Sequence, residues 1–244
     1  MLVAVVVGRG SDDPPAPPQR AHAVPEPPRA AFTVGAPVPL EAGRHESRWA
    51  PVRHAVTARA TPGGATVARL GRRTPEGTTN IVVALARATA PDGRIWVKVR
   101  LATLPNGTTG WVPRSALGGY ATVNTRLVVD RRRLTATVLR DGRRTFWAPI
   151  GIGTAAAPTP AGEFYVRNRL TRFRSPFYGP VALGTSARSE ALTDWPGGGF
   201  VGIHGTDRPG LIPGRVSHGC IRMRNADILR LSRIIPIGTP IDIH

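Results

Sequence analysis

The chain has 244 residues, enough for one large domain or two modest ones. Hydrophobic residues make up 41%, while Gly (28) and Pro (25) are abundant and aromatics are 6%, a mix that favours short strands joined by turns over long helices. The net charge is +18, carried almost wholly by arginine, and a single cysteine excludes an intrachain disulfide. Such a basic surface concentrates near polyanions, with nucleic acid and an anionic bacterial envelope both candidates. No zinc finger, helix-turn-helix or aromatic RNA-binding signature accompanies the charge, so no specific nucleic-acid partner is read from it.

The N-terminus, Met1-Leu2-Val3-Ala4-Val5-Val6-Val7-Gly8, is apolar but far shorter than the roughly 20 residues of a transmembrane helix. It reads as a truncated signal or anchor stump, with a stray strand or a tail as the alternative. Residues 9–30 carry seven prolines and form an extended linker, and 31–50 stay irregular. Together 1–50 is expected to be stump and linker.

A compact unit is expected over 51–117. Val67–Leu70 and Ile81–Leu85 read as strands. Ile95, Val97, Val99 and Leu101 alternate with Trp96, Lys98 and Arg100, which predicts a strand with one apolar face. Pro91-Asp92-Gly93 and Asn106-Gly107 are turn signals on either side, and Gly110-Trp111-Val112-Pro113 opens the next strand. Several short strands in about 65 residues predict a small barrel. Gly118-Gly119 reads as a hinge, and a second β-rich region is expected over 120–244.

In that region Leu127-Val128-Val129 and Glu163–Val166 are strand-like. Leu134–Leu139 and Thr145–Ile150 flank Asp141-Gly142, a hairpin signal. One helix is predicted over 226–235, capped by Asn225, with Asp227 in its first turn and Pro236 as its stop. Ile228, Leu231 and Ile235 form its apolar stripe.

Chemistry concentrates in 203–225. Two of the six histidines and the only cysteine fall within 17 residues there. A thiol is a poor nucleophile until a nearby base takes its proton, and that base needs a third group to fix its tautomer. Gly219 before Cys220 permits a tight turn with outward N–H groups. His204 and His218 are both candidates for the base, and spacing does not separate them. Zinc ligation by His204, His218 and Cys220 is the rival reading, and it lacks a fourth ligand at typical spacing. His22, His45, His54 and His244 have no partner in sequence.

The segments His204-Gly205-Thr206 and Ser217-His218-Gly219-Cys220-Ile221-Arg222, with Pro158-Thr159-Pro160-Ala161-Gly162-Glu163-Phe164 upstream, resemble the L,D-transpeptidase (YkuD) family signature. Trp96-Val97-Lys98-Val99 and Asn106–Pro113 resemble the bacterial SH3-like domain. The fold these imply is mainly β: an SH3-like barrel, then a YkuD-type β-sandwich with one short helix near the C-terminus. By position in the signature, Cys220 is the nucleophile and His204 the general base, with Gly205 orienting His204 through its carbonyl. Backbone N–H groups near His218, Gly219 and Cys220 would form the oxyanion hole. Ser217 and Arg222 would brace the loop or touch substrate.

The resemblance also implies peptidoglycan stem peptides as donor and acceptor, carbapenem-type inhibitors, no metal or organic cofactor, and an extracytoplasmic location in the cell envelope. Phe177, Tyr178 and Trp195 fall where the family carries a lid, or they are plain loop anchors. Arg188 and Arg215 are weaker candidates for meeting substrate carboxylates. The acceptor is left open between a second stem, water (an L,D-carboxypeptidase) and a protein. A wall-binding module with an idle catalytic domain is the reading from another class.

Overall fold

The computed structural model describes residues 35–40, 43, 45–171, 176–191 and 199–244. The apolar N-terminal segment, the Pro-rich linker 9–30, His22 and Trp195 lie outside the described residues. The chain is mainly β, as its turn-rich composition predicts, and folds into two sheets.

The first sheet contains β1 (Val38–Pro39), β2 (Ser47–Pro51), β3 (Val56–Arg59), β4 (Thr66–Leu70), β5 (Ile81–Thr89), β6 (Ile95–Arg100), β7 (Thr109–Pro113) and β8 (Ala121–Val123). Its order is β4-β3-β7-β6-β5-β2-β8, with β1 also on β5. Val52, Val97, Val99, Val112 and Leu117 lie in its core. Strands on both sides of 51–117 therefore belong to this sheet. The Gly118-Gly119 pair does not separate the two sheets. β8 follows it and still pairs with β2, Ser47 opposite Val123 and Trp49 opposite Ala121. The Gly118 N–H donates to the Pro51 carbonyl at 2.8 Å, which ties the glycines down.

The apolar face predicted for β6 is only half right. Val97 and Val99 are fully buried, but Ile95 is 40% exposed and Trp96 is buried. Trp96 packs with Trp111, Ala88 and Ala90 in a small cluster on the opposite face. An aromatic from a partner strand thus covers a face that local alternation assigns to solvent.

The second sheet contains β9 (Thr125–Asp130), β10 (Thr135–Arg140), β11 (Arg143–Pro149), β12 (Gly151–Gly153), β13 (Gly162–Leu170), β14 (Ala182–Arg188), β15 (Phe200–His204), β16 (Gly214–Ser217), β17 (Ile221–Arg222) and β18 (Pro240–Ile243). Its order is β11-β10-β9-β18-β13-β14-β15-β17-β12-β16. β9 alternates buried and half-buried residues along its whole length, the signature of one core-facing side. The β10–β11 hairpin turns at Asp141 (φ 50°) and Gly142 (φ 78°), both left-handed as a two-residue turn of this kind requires. β13 changes partner along its length: Gly162–Tyr165 pair with β18, and Val166–Leu170 pair with β14.

The two halves of the sheet close over one core that draws Leu127 and Val138 from one side and Leu183, Ile203 and Ile221 from the other. Helix α1 (Asn225–Ile234) adds Ile228 and Leu231 to it, and Ile235 follows at its C-terminal end. Burying each such side chain contributes about 1.5–3 kcal/mol. Asn225 is not the cap of α1. Arg224 holds the N-cap position with no side-chain cap bond, and Asn225 is the first helical residue. Its side chain is used elsewhere, as described below.

The sheets are docked on each other. Tyr165 of β13 is fully buried and packs with Ile81 and Val83 of β5. Asn106 forms a two-bond clasp with the backbone of Arg188, donating from Nδ2 to its carbonyl (2.8 Å) and accepting from its N–H (2.9 Å). Arg100 of β6 pairs with Glu163 of β13. Only Asn124 lies between β8 and β9.

Candidate active site

β15 and β17 run parallel, with Ile203 opposite Ile221 and His204 opposite Arg222. His204 ends β15, and Cys220 immediately precedes β17, so sheet pairing brings the two together although 16 residues separate them in sequence. Both line one pocket of about 440 Å³, together with Ser217, His218, Arg222 and Phe200. His218 is exposed at the pocket rim.

The loop ahead of Cys220 is held from two sides. Ser217 Oγ donates to the Cys220 carbonyl at 2.5 Å and accepts from the Gly219 N–H at 3.2 Å. Thr159 Oγ1 donates to the Gly219 carbonyl at 2.7 Å and accepts from the Gly153 N–H at 2.9 Å. Gly219 has φ 114°, which side-chain-bearing residues rarely adopt. The glycine lets the chain turn there and sets Cys220 against β15.

The Cys220 sulfur accepts the Gly202 N–H at 3.4 Å. Burial pushes the thiol up, and the Gly202 N–H and the Arg222 guanidinium pull it part of the way back. The resting group is therefore a neutral thiol, with one N–H donor and one guanidinium charge in place to favour a thiolate.

His204 is 2% exposed. Its Nδ1 lies 2.6 Å from the Gly205 carbonyl. A carbonyl only accepts, so Nδ1 carries the proton and Nε2 is left as the basic nitrogen. Burial lowers the imidazole to about 4, the Gly205 carbonyl opposes that shift, and Arg222 adds to it. His204 is thus neutral at pH 7. The Tyr178 ring packs edge-on at 5.0 Å between centroids, and Phe177 lies at 5.9 Å. Arg222 is buried and stacks on Phe177, 4.5 Å from its ring centre.

The Gly205 turn is itself clamped. Asn225 Oδ1 accepts the Thr206 N–H at 2.9 Å. A Cβ on Gly205 would collide with that same oxygen. A helix residue thus fixes the turn whose carbonyl fixes the histidine. Asn225 has an obvious local role as a cap, which hides this non-local one in the sequence. Thr159 and Gly202 are two further supports of the cysteine. Thr159 is visible only as part of the Pro-Thr-Pro segment, and Gly202 has no sequence signal. Arg215 lies outside the pocket, exposed on β16, with Nη2 donating to the Arg131 carbonyl at 3.2 Å. Among the described residues no group of three His, Cys, Asp or Glu side chains is placed to hold a metal.

A family model for the YkuD L,D-transpeptidase catalytic domain matches residues 124–243. The YkuD protein of Bacillus subtilis is 35% identical over 123 residues, covering 50% of this chain and 68% of that protein. The chain belongs to the YkuD L,D-transpeptidase family. YqjB of Bacillus subtilis is 31% identical over 121 residues, covering 46% of this chain and 67% of that protein. A crystallised mutant of the Enterococcus faecium L,D-transpeptidase matches at 26% identity with a TM-score of 0.39, covering 49% of each chain. The chain thus spans about half the length of that crystallised protein. The YkuD match begins at Asn124, one residue after β8 ends, so the family domain coincides with the second sheet.

Proposed function

We propose that the chain is a peptidoglycan L,D-transpeptidase working through a Cys220 thioester. The observation that carries this is that Cys220 shares a pocket with a neutral His204 whose Nδ1 is committed to the Gly205 carbonyl. In the first half-reaction His204 Nε2 takes the thiol proton as sulfur bonds to the stem carbonyl before the terminal D-Ala. The C–N bond then breaks, and His204 returns the proton to the leaving amine. Backbone N–H groups of the 218–220 turn stabilise the oxyanion, with the Gly219 N–H also tied to Ser217. In the second half-reaction an acceptor amine attacks the thioester. The C–N bond forms as the C–S bond breaks, and the amine proton passes through His204 to sulfur.

The first sheet is proposed to be an SH3-like wall-binding unit, and the chain is proposed to act at the cell envelope outside the cytoplasm. Its own apolar core and the +18 charge support that reading. Among the described residues no helix is long and apolar enough to cross a membrane. The test mixes the purified chain with a tetrapeptide stem and follows D-Ala release and cross-linked product by mass spectrometry, beside a carbapenem adduct on Cys220. Product and adduct, both lost in C220S, are expected. Absence of both with the wild-type chain would overturn the reading.

A further inference from the structure

A second cleft, of about 950 Å³, opens between the two sheets. Arg69 and Arg73 line it from the first sheet's side, and Tyr165, Arg167, Arg188 and Phe200 from the second. Phe200 also lines the Cys220 pocket, so one residue borders both spaces.

Arg167 stands out among these residues. It is 3% exposed, and its Nε and Nη1 have no hydrogen-bond partner. Its Nη2 reaches Glu76 only at 3.5 Å, and its guanidinium lies over the Phe200 ring at 3.7 Å. A buried guanidinium left with unmet N–H groups is costly, and a carboxylate is the acceptor that matches its fork. Glu76 is one negative charge against four arginines, so the cleft keeps a positive surplus.

We propose that this cleft is the acceptor subsite and that Arg167 binds a carboxylate of the stem peptide that delivers the acceptor amine. This rests on the transpeptidase reading above. The donor's carbonyl must sit at Cys220, so a second peptide needs separate space next to that pocket. The cleft borders it at Phe200. Phe200 begins β15, two residues before the Gly202 that donates to Cys220. A carboxylate held at Arg167 therefore anchors the acceptor beside the strand that carries the site.

The experiment uses the full chain, a tetrapeptide donor and two acceptors. One is a tripeptide stem with a free C-terminal carboxylate, and the other is the same peptide as its C-terminal amide. Transfer rates are expressed per enzyme that a carbapenem can acylate. The wild-type chain is expected to show an acceptor KM about tenfold or more lower for the acid than for the amide. In R167M that preference is expected to shrink to about onefold. Equal KM values for acid and amide with the wild-type chain overturn the subsite, even if R167M does not fold. A preference that survives in a folded R167M moves the carboxylate away from Arg167 and equally overturns it. A wild-type chain that neither reacts with carbapenem nor releases D-Ala refutes the transpeptidase reading instead, which keeps the two failures apart.

Discussion

The hydroxyl of Tyr165 donates to the main-chain carbonyl of Ile81 at 3.1 Å, crossing from the second sheet to the first. The ring is fully buried, and burial pushes the phenol up to about 12, so the donor keeps its proton at any working pH. In Y165F the Ile81 carbonyl loses its partner inside the interface. A loss of about 1–3 kcal/mol is expected, read as a lower urea midpoint with an unchanged slope. An unchanged midpoint would mean that water satisfies the carbonyl and that the bond does not hold the sheets.

Removing each imidazole in turn should separate the two histidines. H204A is expected to slow carbapenem acylation of Cys220 by about 10²–10⁴-fold, the usual worth of a positioned base. H218A, at the exposed rim, is expected to cost far less. Intact-mass time courses measure both. A larger effect from H218A would assign the proton transfer to the other imidazole.

Folding forces His204 to stay neutral, and stability should record this. The unfolded imidazole takes its proton near 6.5, and the folded one only near 4. Between these values the unfolded chain binds more protons, so stability falls as the pH drops from about 6.5 to about 4. The full drop is roughly 3–4 kcal/mol at about 1.4 kcal/mol per pH unit. In H204Q this part of the acid sensitivity should vanish. Urea titrations of both proteins across that window test it, and parallel curves would show that His204 is not the source.

Asn225 should matter to catalysis more than to its helix. N225A removes the acceptor of the Thr206 N–H and frees the turn that holds His204. Acylation is expected to fall about tenfold to a hundredfold, a cost in line with small misplacements at active sites. The pH profile of acylation should move as well, because the Gly205 carbonyl no longer sits squarely on Nδ1. N225D keeps the accepting oxygen and should restore most of the rate. If both variants lower only thermal stability, Asn225 is a packing residue.

The arginine surplus should act at long range and leave the sulfur chemistry alone. Binding to purified sacculi is expected to weaken steeply between low and high salt, since such attraction is screened within about 8 Å at physiological ionic strength. Acylation of Cys220 by a small β-lactam should change little over the same range. Flat wall binding would shift recognition to shape and hydrogen bonding in the first sheet.

Much of this molecule can be read from local signals. Asp141-Gly142 marks its hairpin because few other residue pairs tolerate two left-handed positions. The cysteine and histidine segments stand out because rare residue types cluster there. What escapes is set by distant partners. Trp96 turns inward because Trp111 arrives from a neighbouring strand. β8 returns to the first sheet although two glycines precede it. Arg167 sits on a strand buried on both faces, where alternation alone would leave an arginine in water. Asn225 looks like a cap because the Thr206 amide it serves lies 19 residues upstream.

The single residue between the sheets has a mechanical consequence. Asn124 is exposed, but its side chain donates to both oxygens of Asp141 at 3.0 Å, and its carbonyl accepts the Asp141 N–H at 3.0 Å. A protease finds no slack strand to cleave at that junction, and the two halves cannot swing apart as beads on a string. In a porous polymer the two sheets, tied at that junction, would be sieved together and not one after the other.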